Sequence, residues 1–404
     1  MPGKLIVGQS GGCTAAINAT LAGVIDQALQ RPEVGAVLGM LNGIQGLLDG
    51  EVVDLGAEST ETRAGLRETP SAALGSCRFK ASDEHLERIV DILRRLDIRY
   101  FLYIGGNDSA DTSARIEAVA QASGYELLVI GLPKTIDNDL PCTDHCPGYG
   151  SVARYLAIST IEAGLDTEAM RRFDPVKIIE VMGRDAGWLA GAAALGKHSE
   201  EDAPHLIYFP EYHLAADRFL ADVQRVYERL GYVVAVVPER ITDSAGNVVA
   251  RSPDPTFVDA FGHAYYDSPA AYLVQEVGAR LGLRARFDKP GTFQRMSMAL
   301  ASQTDLDEAY MAGRAGVRHA AEGMSGKMVT LVREPGPAYA CSTGLAPLRE
   351  VANSVKTLPR EYVNAALNFV TPAFVEYALP LVGDPLPRYT RLAKYRVPAL
   401  GWGS

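Results

Sequence analysis

The sequence has little of several features that would place it in a familiar class. Its five cysteines are an odd set without paired spacing, which is typical of a reduced compartment. No apolar run approaches the roughly 20 residues that span a bilayer, and the amino terminus lacks a basic-then-apolar signal pattern. We therefore expect a soluble, cytoplasmic protein with no membrane partner.

An excess of positive charge is also missing. The 404 residues include 39 Lys and Arg against 49 Asp and Glu, so the formal net charge is −10. The basic residues are dispersed, which argues against nucleic acid as the main partner and confines any polyanion site to a local pocket. With 47% hydrophobic residues, the chain can bury a full core and is long enough for two domains.

Short β-branched runs alternate with longer amphipathic segments along the chain. This alternation predicts an α/β fold with mainly parallel strands joined by crossover helices. Strands are predicted at 4–7, 36–40, 100–104, 127–130, 177–182, 207–209 and 233–237. Helices are predicted from residue 82 or 83 and at about 15–30, 109–122, 151–171, 215–230, 269–281 and 306–322, with a further packing helix in 359–381.

The segment from Pro133 to Asp139 is the most informative part of the sequence. It reads PKTIDND and follows an apolar run predicted to be a strand. Its polar groups are therefore expected at the carboxyl edge of a sheet, where open α/β folds bind ligands. Carboxylates there can deprotonate a hydroxyl and hold Mg²⁺, while Lys134 can neutralise phosphate oxygens. This combination indicates phosphoryl transfer.

Three glycine-containing turns follow other predicted strands. The turn 8–12 can cradle a phosphate on its backbone N–H groups, or it can serve tight packing alone. The turn 105–109 offers Asp108, with Ser109 suited to cap the next helix. The turn 182–187 offers Arg184, which can bind phosphate with two N–H groups. Each turn has an ordinary structural explanation, but three turns of compatible chemistry favour one phosphate-binding cleft.

These motifs resemble those of the phosphofructokinase family. The turn 8–12, the segments 75–79 and 291–295, and the motifs GGNDS, PKTIDND, MGRDAG and Pro238-Glu239 occur in the family's order over about residues 4–332. The resemblance implies two Rossmann-like three-layer domains with mainly parallel sheets and the active site in the cleft between them. It implies a phosphoryl-donor domain in 1–145 plus about 297–345. The sugar-phosphate domain is then 146–296 plus C-terminal helices in about 346–404.

The resemblance also implies roles for single residues. Asp137 resembles the general base, and Lys134 and Arg184 resemble groups that offset charge on the phosphoryl groups. The sugar phosphate is expected to meet Thr135, Asp139, Met182, Gly183, Glu239, Arg295 and, from a neighbouring subunit, Arg286. The diphosphate is expected to meet Gly12, Arg78 and Asp108. A site completed by Arg286 of a partner implies a homodimer or homotetramer. A second subunit-crossing arginine of the family has no match at 174–177, so that contact is lost or taken over by Lys177.

Two positions bear on the phosphoryl donor. Family members that use ATP carry glycine where this chain has Asp108 and Lys134. Two like charges about 4 Å apart repel by roughly 4 kcal/mol at an effective dielectric near 20, or about a thousandfold in affinity. Asp108 is therefore expected to exclude a nucleotide, and Lys134 to balance a departing phosphate. The pair resembles the pyrophosphate-dependent branch, which reversibly phosphorylates the 1-hydroxyl of fructose 6-phosphate.

Mg²⁺ is the cofactor that the resemblance implies. Many relatives have aspartate at position 107, whereas Asn107 supplies only a neutral oxygen, so Asp108 is the alternative ligand. An ATP-dependent phosphofructokinase or related sugar kinase is the first alternative function. A non-catalytic regulator is the second, and it predicts the loss of Asp137 or Arg184. The cluster 142–146 favours a hinge or substrate-edge loop over a zinc site, because a second pair of ligands is missing.

Overall fold

The computed structural model describes residues 3–252, 254–259, 262 and 264–397. Its strands are β1 (Gly3–Gln9), β2 (Val34–Met40), β3 (Val52–Asp54), β4 (Ile98–Gly105), β5 (Leu128–Pro133), β6 (Val176–Val181), β7 (Leu206–Ile207), β8 (Val233–Pro238), β9 (Phe257–Val258), β10 (Ala264–Tyr265), β11 (Ala285–Asp288), β12 (Lys327–Arg333) and β13 (Cys341–Pro347). Its α-helices are α1 (Ile17–Ala28), α2 (Gly43–Asp49), α3 (Thr60–Leu66), α4 (Asp83–Arg95), α5 (Asn107–Ala122), α6 (Tyr149–Met170), α7 (Trp188–Ala192), α8 (Ala216–Leu230), α9 (Pro269–Leu281), α10 (Phe293–Met296), α11 (Gln303–Ala321), α12 (Leu348–Val351) and α13 (Pro372–Ala378).

Two sheets organise this part of the chain. The first has the order β13-β12-β5-β4-β1-β2-β3 and is parallel except at its edge strands β13 and β3. The second has the order β11-β6-β8-β7 and is parallel throughout. The predicted α/β class with mainly parallel sheets is confirmed. None of the helices in the described residues is long and apolar enough to cross a membrane.

Each sheet is buried on both faces, as parallel sheets covered by crossover helices are. In β1, Leu5 and Val7 pack in one apolar cluster, whereas Ile6 packs in another, and all three are fully buried. In β6, Ile178 and Ile179 likewise belong to different clusters. Successive side chains of a strand point to opposite faces, so burial on both sides explains the nearly continuous apolar runs of these strands.

The strands and helices predicted at 4–322 all have counterparts in the structure, with shifts of a few residues at their ends. The pattern missed β12 and β13, which extend the first sheet from a distant part of the chain. The sequence of β13 reads CSTGLAP and is only partly buried, so it has little of the apolar content that marks an inner strand.

The packing helix predicted in 359–381 is confirmed only as the short helix α13, which buries Phe374 and Ala378. Val363 forms an antiparallel bridge with Val370, and the only α-helix of this segment is α13, which starts at Pro372. The side chain of Asn364 accepts a hydrogen bond from the backbone N–H of Asn368 and so stabilises a turn between the bridged residues. Side-chain bonds of this kind compete with helix formation, and proline favours the first position of a helix.

The two sheets bear on the predicted domain division without testing its boundaries. Strands β1–β5, β12 and β13 belong to the first sheet, whereas β6, β7, β8 and β11 belong to the second. Residues 1–2 and 398–404 at the ends of the predicted domains lie outside the described residues. The boundaries therefore stay a prediction.

Helices α1 and α11 pack closely enough to require glycine on both sides. A Cβ atom on Gly23 would lie 2.2 Å from the backbone oxygen of Tyr310, and one on Gly313 would lie 2.1 Å from the backbone oxygen of Thr20. From this fixed position, the Asp305 carboxylate of α11 accepts backbone N–H bonds from Gly148 and Ser151 at the start of α6. The contact thus ties the first sheet to the helix that leads into the second.

We predict that Gly23→Val lowers the midpoint of thermal unfolding, because the new side chain meets a backbone carbonyl that cannot move away alone. Overpacking of this kind costs about 1–3 kcal/mol or more. Circular dichroism during heating measures the midpoint. Gly65→Ala is the control, because Gly65 is exposed in α3 with no atom within 4 Å of its Cβ position. This control should stabilise the protein slightly, and equal midpoints for wild type and Gly23→Val would contradict the prediction.

Candidate active site

Strand ends from both sheets open on one cleft. A cavity of about 410 Å³ and an adjoining one of about 90 Å³ share Gly12, Arg78, Lys134, Thr135, Asp137 and Arg184. The larger cavity also contacts Asn107, Asp108 and Asp139, and the smaller one also contacts Met182, Glu239 and Arg295. Of the sequence-predicted site residues, only Gly183 and Arg286 do not line either cavity. The carboxyl ends of parallel strands therefore meet here as expected.

The loop after β5 presents its two aspartates through a left-handed residue. Asn138 has a φ of 54° and is fully buried. Its side-chain oxygen accepts the backbone N–H of Cys146, and its amide nitrogen donates to the hydroxyl of Tyr377. Asparagine tolerates this conformation better than most residues. The anchored turn exposes Asp137 and Asp139 on either side of it to the cleft.

Burial changes the protonation of these carboxyl groups. The pKa of Asp137 is raised to about 8, first by burial and then by the negative charges of Asp139 and Glu239. The guanidinium of Arg184 acts in the opposite direction. The pKa of Asp139 is also raised by burial. Because the two groups interact, they titrate as a pair, and the ligand-free cleft favours their protonated forms more than water does.

Lys134 brings a buried ammonium group to the turn after β1. The residue is 3% exposed, and its Nζ donates to the backbone oxygen of Gly12 at 2.8 Å. Burial lowers the pKa of Lys134 to about 8, and the positive charges of Arg295 and Arg78 act in the same direction. An anion entering the cleft would oppose this shift, since negative charge stabilises the ammonium form.

The glycines of this turn allow two cations to approach the backbone. Gly11 has a φ of 76°, and a Cβ there would lie 3.1 Å from the Nζ of Lys134. A Cβ on Gly12 would lie 2.9 Å from the Nη1 of Arg295. The sequence predicted an N–H cradle for phosphate here. The structure adds that Lys134 and Arg295 lie close to this turn, and that the positive φ of Gly11 favours glycine there.

The end of β6 supplies the opposite wall. Gly183 has a φ of 101°, which favours glycine in the turn between Met182 and Arg184. The backbone N–H of Met182 donates to Gln294 at 3.2 Å, and this bond joins the turn to the segment that carries Arg295. The Nε of Arg184 lies 4.0 Å from a carboxylate oxygen of Glu239, which follows β8.

The donor side of the cleft is formed by the first turn of α5. This helix begins at Asn107, so the prediction that Ser109 caps it is wrong. Ser109 lies within the helix, and its hydroxyl contacts that of Ser10 at 2.5 Å. The side-chain oxygen of Asn107 is buried and has no hydrogen-bond partner among the described residues. Together with the neighbouring Asp108, it provides oxygen atoms suited to a hard cation.

Arg286 lies away from the cleft of its own chain. It is exposed on β11, and its guanidinium pairs with Asp174 at 2.8 Å. Lys177, on the adjacent strand β6, pairs with Asp288 at 2.8 Å. Both cations therefore belong to the edge of the second sheet. Their roles toward a neighbouring subunit stay predictions.

The cluster 142–146 divides between solvent and core. Cys142 is exposed, whereas Cys146 is fully buried. The buried imidazole of His145 lies between the carboxylates of Asp144 at 2.8 Å and Glu308 at 2.6 Å. These carboxylates hold the pKa of His145 above its usual value, although burial acts in the opposite direction. The segment thus continues the loop after β5 and fastens it to α11.

Sequence reasoning missed several residues of the site. The hydroxyl of Tyr265 accepts hydrogen bonds from Arg78 at 2.7 Å and Arg184 at 3.2 Å. Arg78 also pairs with Asp259 at 2.8 Å. Residues 353–355 line the larger cavity. No local pattern marks these positions, because each reaches the cleft from a distant part of the chain.

Comparison with known proteins yields consistent matches. A family model described as Phosphofructokinase matches residues 4–318. The pyrophosphate–fructose 6-phosphate 1-phosphotransferase of Xanthomonas campestris pv. campestris (strain B100) is 41% identical over 98% of this chain and 97% of its own length. Its counterpart of the same name from Halomonas elongata is 40% identical over 96% of each chain. The crystal structure of a pyrophosphate-dependent phosphofructokinase from Nitrosospira multiformis superposes with a TM-score of 0.87 at 37% identity, covering 96% of this chain and 94% of that one.

We predict that Asp139→Asn lowers the pKa of Asp137 by about one unit or more, because it removes a like charge from the same buried site. Titration of the aspartate carboxyl carbons by ¹³C NMR in the ligand-free protein measures this pKa. Asp91→Asn is the control, because Asp91 is exposed on α4. An unchanged titration of Asp137 in Asp139→Asn would show that the two carboxyl groups do not interact.

Proposed function

The chain belongs to the phosphofructokinase family, and from this premise we propose that its cleft transfers a phosphoryl group from pyrophosphate to the 1-hydroxyl of fructose 6-phosphate. The products are fructose 1,6-bisphosphate and phosphate. The reaction is the one for which the relatives of about 40% identity are named. Similarity in both sequence and fold supports this donor over ATP.

The observation that carries the proposal is that Asp108 and Lys134 line the same cavity as Asp137. A carboxylate on the donor side repels the additional phosphate of a nucleotide, whereas a diphosphate needs no space beyond its two phosphoryl groups. The ammonium of Lys134 is held at the Gly12 carbonyl, where it can offset charge on a departing inorganic phosphate. Asp108 thus disfavours a nucleotide as the donor, and Lys134 favours inorganic phosphate as the leaving group.

The smaller cavity fits the acceptor sugar phosphate. Met182, Arg184 and Glu239 come from the second sheet, and Arg295 reaches the cavity from α10. The carboxylate of Glu239 can accept hydrogen bonds from sugar hydroxyls, and Arg295 can bind the 6-phosphate. Arg286 of a neighbouring subunit would complete the phosphate clamp, as in the family. Thr135 would contact the reacting end of the sugar.

The chemical step is an in-line displacement at phosphorus. The 1-hydroxyl oxygen forms a bond to one phosphorus of pyrophosphate while the bond from that phosphorus to the bridging oxygen breaks. Asp137 takes the hydroxyl proton, and inorganic phosphate leaves with the bridging oxygen. Arg184 faces the transferring phosphoryl group, and the N–H groups of the turn 11–12 face the donor. Asp137 must be ionised to act, so the rate rises with pH through the pKa of the carboxyl pair.

Mg²⁺ is the metal that the oxygen donors at this site fit. The side-chain oxygen of Asn107, which has no hydrogen-bond partner among the described residues, and the carboxylate of Asp108 both belong to the cleft lining. Oxygen ligands of this kind suit a hard cation that retains several waters. Asp108 and Asn107 would hold the ion, which would supply positive charge to the oxygens of the diphosphate.

The remaining features of the proposal concern organisation. We assign 1–145 with about 297–345 to the donor domain, and 146–296 with about 346–404 to the sugar-phosphate domain. A homodimer or homotetramer follows if Arg286 crosses to a neighbouring site, as its exposed position on the edge strand β11 permits. All five cysteines are unbridged, which supports a cytoplasmic location.

We predict that the protein with Mg²⁺ and fructose 6-phosphate uses pyrophosphate with a kcat/KM about a thousandfold higher than for ATP, the ratio expected from roughly 4 kcal/mol of charge repulsion. Asp108→Gly should raise kcat/KM for ATP at least ~10-fold, because it removes charge and opens space. Coupled assays of fructose 1,6-bisphosphate formation measure both donors.

Asp108→Asn is the matched variant for this test, because it removes the charge while preserving the shape of the side chain. If repulsion is the barrier, both variants gain activity with ATP. If only Asp108→Gly gains activity with ATP, the barrier to ATP is the lack of space and not the charge. Brisk turnover of the wild type with ATP and none with pyrophosphate would refute the proposed donor.

We predict that Asp137→Asn lowers kcat by at least ~10²-fold with little change in KM for either substrate, because the amide cannot accept the hydroxyl proton. Asp139→Asn is the matched comparison. It retains the base and should move the acidic limb of the kcat profile to lower pH, since Asp137 then ionises more easily. Turnover of Asp137→Asn near the wild-type rate would remove the base assignment.

A further inference from the structure

A short segment near the carboxyl end of the described chain reaches the active site. Residues 353–355 line the larger cavity, although the family model ends at residue 318. The helix α12 precedes this segment, and the side chain of Asn353 donates to Asp111 of α5 at 3.0 Å. The segment is therefore fastened to the helix whose first turn forms the donor side. The next residue, Lys356, contacts the loop that carries Asp137 and Asp139.

Lys356 binds the catalytic loop at two places. Its backbone N–H donates to the backbone oxygen of Asp139 at 2.7 Å. Its Nζ donates to the backbone oxygens of Thr143 at 3.1 Å and Asp144 at 2.8 Å. One residue thus bridges the part of the loop that carries the carboxyl pair and the part that returns to α6. Removing the side-chain donors would free the second anchor while leaving the first in place.

The same lysine also contacts the wall supplied by the second sheet. The indole N–H of Trp188 donates to the backbone oxygen of Lys356 at 3.0 Å. The Nζ lies 5.2 Å from the centre of the Trp188 ring, within the range of a cation–π interaction. Trp188 is 2% exposed and begins α7, four residues after Arg184. Lys356 therefore joins the loops that hold the proposed base and the proposed phosphoryl-binding arginine.

The charge of Lys356 has no carboxylate partner in an ion pair among the described residues. Burial lowers its pKa, while the nearby Cys146, Asp144 and Asp139 act in the opposite direction. Lys356 is half-buried, and a partly desolvated ammonium without a carboxylate partner in an ion pair is costly. One side-chain oxygen of Asp139 is buried and has no hydrogen-bond partner among the described residues.

We propose that Lys356 is a positioning residue for phosphoryl transfer, which holds the loop of Asp137 and Asp139 in place and supplies the positive charge that keeps this carboxyl pair available as a base. This inference rests on the proposed function and adds a residue from outside the segment that the family model matches.

Several other charges face the carboxyl pair and set the background of any pH effect. Asp185 and Arg184 come from the turn after β6, and Glu239 comes from the end of β8. Burial is the main cause of the raised pKa of Asp139, and the positive charge of Lys356 opposes it. Without the positive charge of Lys356, the carboxyl pair of Asp137 and Asp139 binds its proton more tightly. The acidic limb of the kcat profile then moves to higher pH, since the base ionises later.

The test compares the full-length wild type with Lys356→Met and Lys356→Arg in assays with pyrophosphate, fructose 6-phosphate and Mg²⁺ over a range of pH. Lys356→Met should lower kcat roughly 10- to 100-fold with KM values little changed, since small displacements of reacting groups have effects of this size. It should also move the acidic limb upward by at least ~0.5 pH unit. Lys356→Arg retains the charge and should keep the acidic limb of the kcat profile at its wild-type pH.

Lys197→Met is the matched control. The Nζ of Lys197 also donates to two backbone oxygens, those of Glu200 and Asp202, but both bonds stay within the segment 197–202, outside the loop of Asp137 and Asp139. It should leave the limb where it is in the wild type. The inference would be overturned if the acidic limb of Lys356→Met stayed at the wild-type pH. It would also be overturned if Lys356→Met and Lys197→Met lost kcat equally.

Two further outcomes separate the inference from its premise. If the wild type shows no turnover with pyrophosphate, the proposed function fails, whereas an active wild type with an unaffected Lys356→Met refutes only the role of Lys356. If Lys356→Met does not fold, Lys356→Gln keeps a hydrogen-bond donor without the charge and is measured in the same way. A limb of Lys356→Gln at the wild-type pH would equally overturn the inference.

Discussion

The cleft depends on a lysine ammonium that is held out of water. Through its backbone N–H and its Nζ, Lys134 bonds the backbone oxygens of Gly105 and Gly12, so this one residue joins the ends of β5, β4 and β1. Burial of a charge is costly unless polar groups receive it. Gly11 gives the ammonium room in the turn after β1, because a Cβ there would lie 3.1 Å from the Nζ of Lys134. The close packing of the backbone in this turn and the position of the Lys134 ammonium therefore depend on each other.

Opposite shifts in pKa follow from this shared burial. The pKa of Asp137 is raised and that of Lys134 is lowered, each to about 8, because the cleft disfavours charge of either sign. Groups in this state respond strongly to a charged ligand. A diphosphate favours the ammonium form of Lys134, whereas the positive charges of Arg184 and Lys356 favour ionised carboxyl groups. The arrangement suits proton removal and phosphate binding in one small volume.

The predictability of the site depends on how far apart its parts lie in the sequence. Lys134, Asp137 and Asp139 share one loop, so their spacing was sufficient to predict a phosphoryl-transfer site. Parallel strands also lead their following turns to one edge, which brought Asp108 and Arg184 within the expected cleft. The helix cap at Ser109 was wrong, because Gly106 precedes the helix instead. The helix predicted in 359–381 formed only over 372–378, because a β-bridge between Val363 and Val370 occupies the segment before it.

The sequence by itself determined the α/β class, the strand ends that carry function and the identity of the charged groups, because each depends on residues close together in the chain. Only the tertiary structure decided that Arg295 approaches the Gly12 turn, that Tyr265 binds two arginines and that Lys356 fastens the catalytic loop. The tertiary structure also decided the two pKa shifts of the loop. The physical reason is that burial and long-range contact arise from packing of distant segments, which no local pattern records.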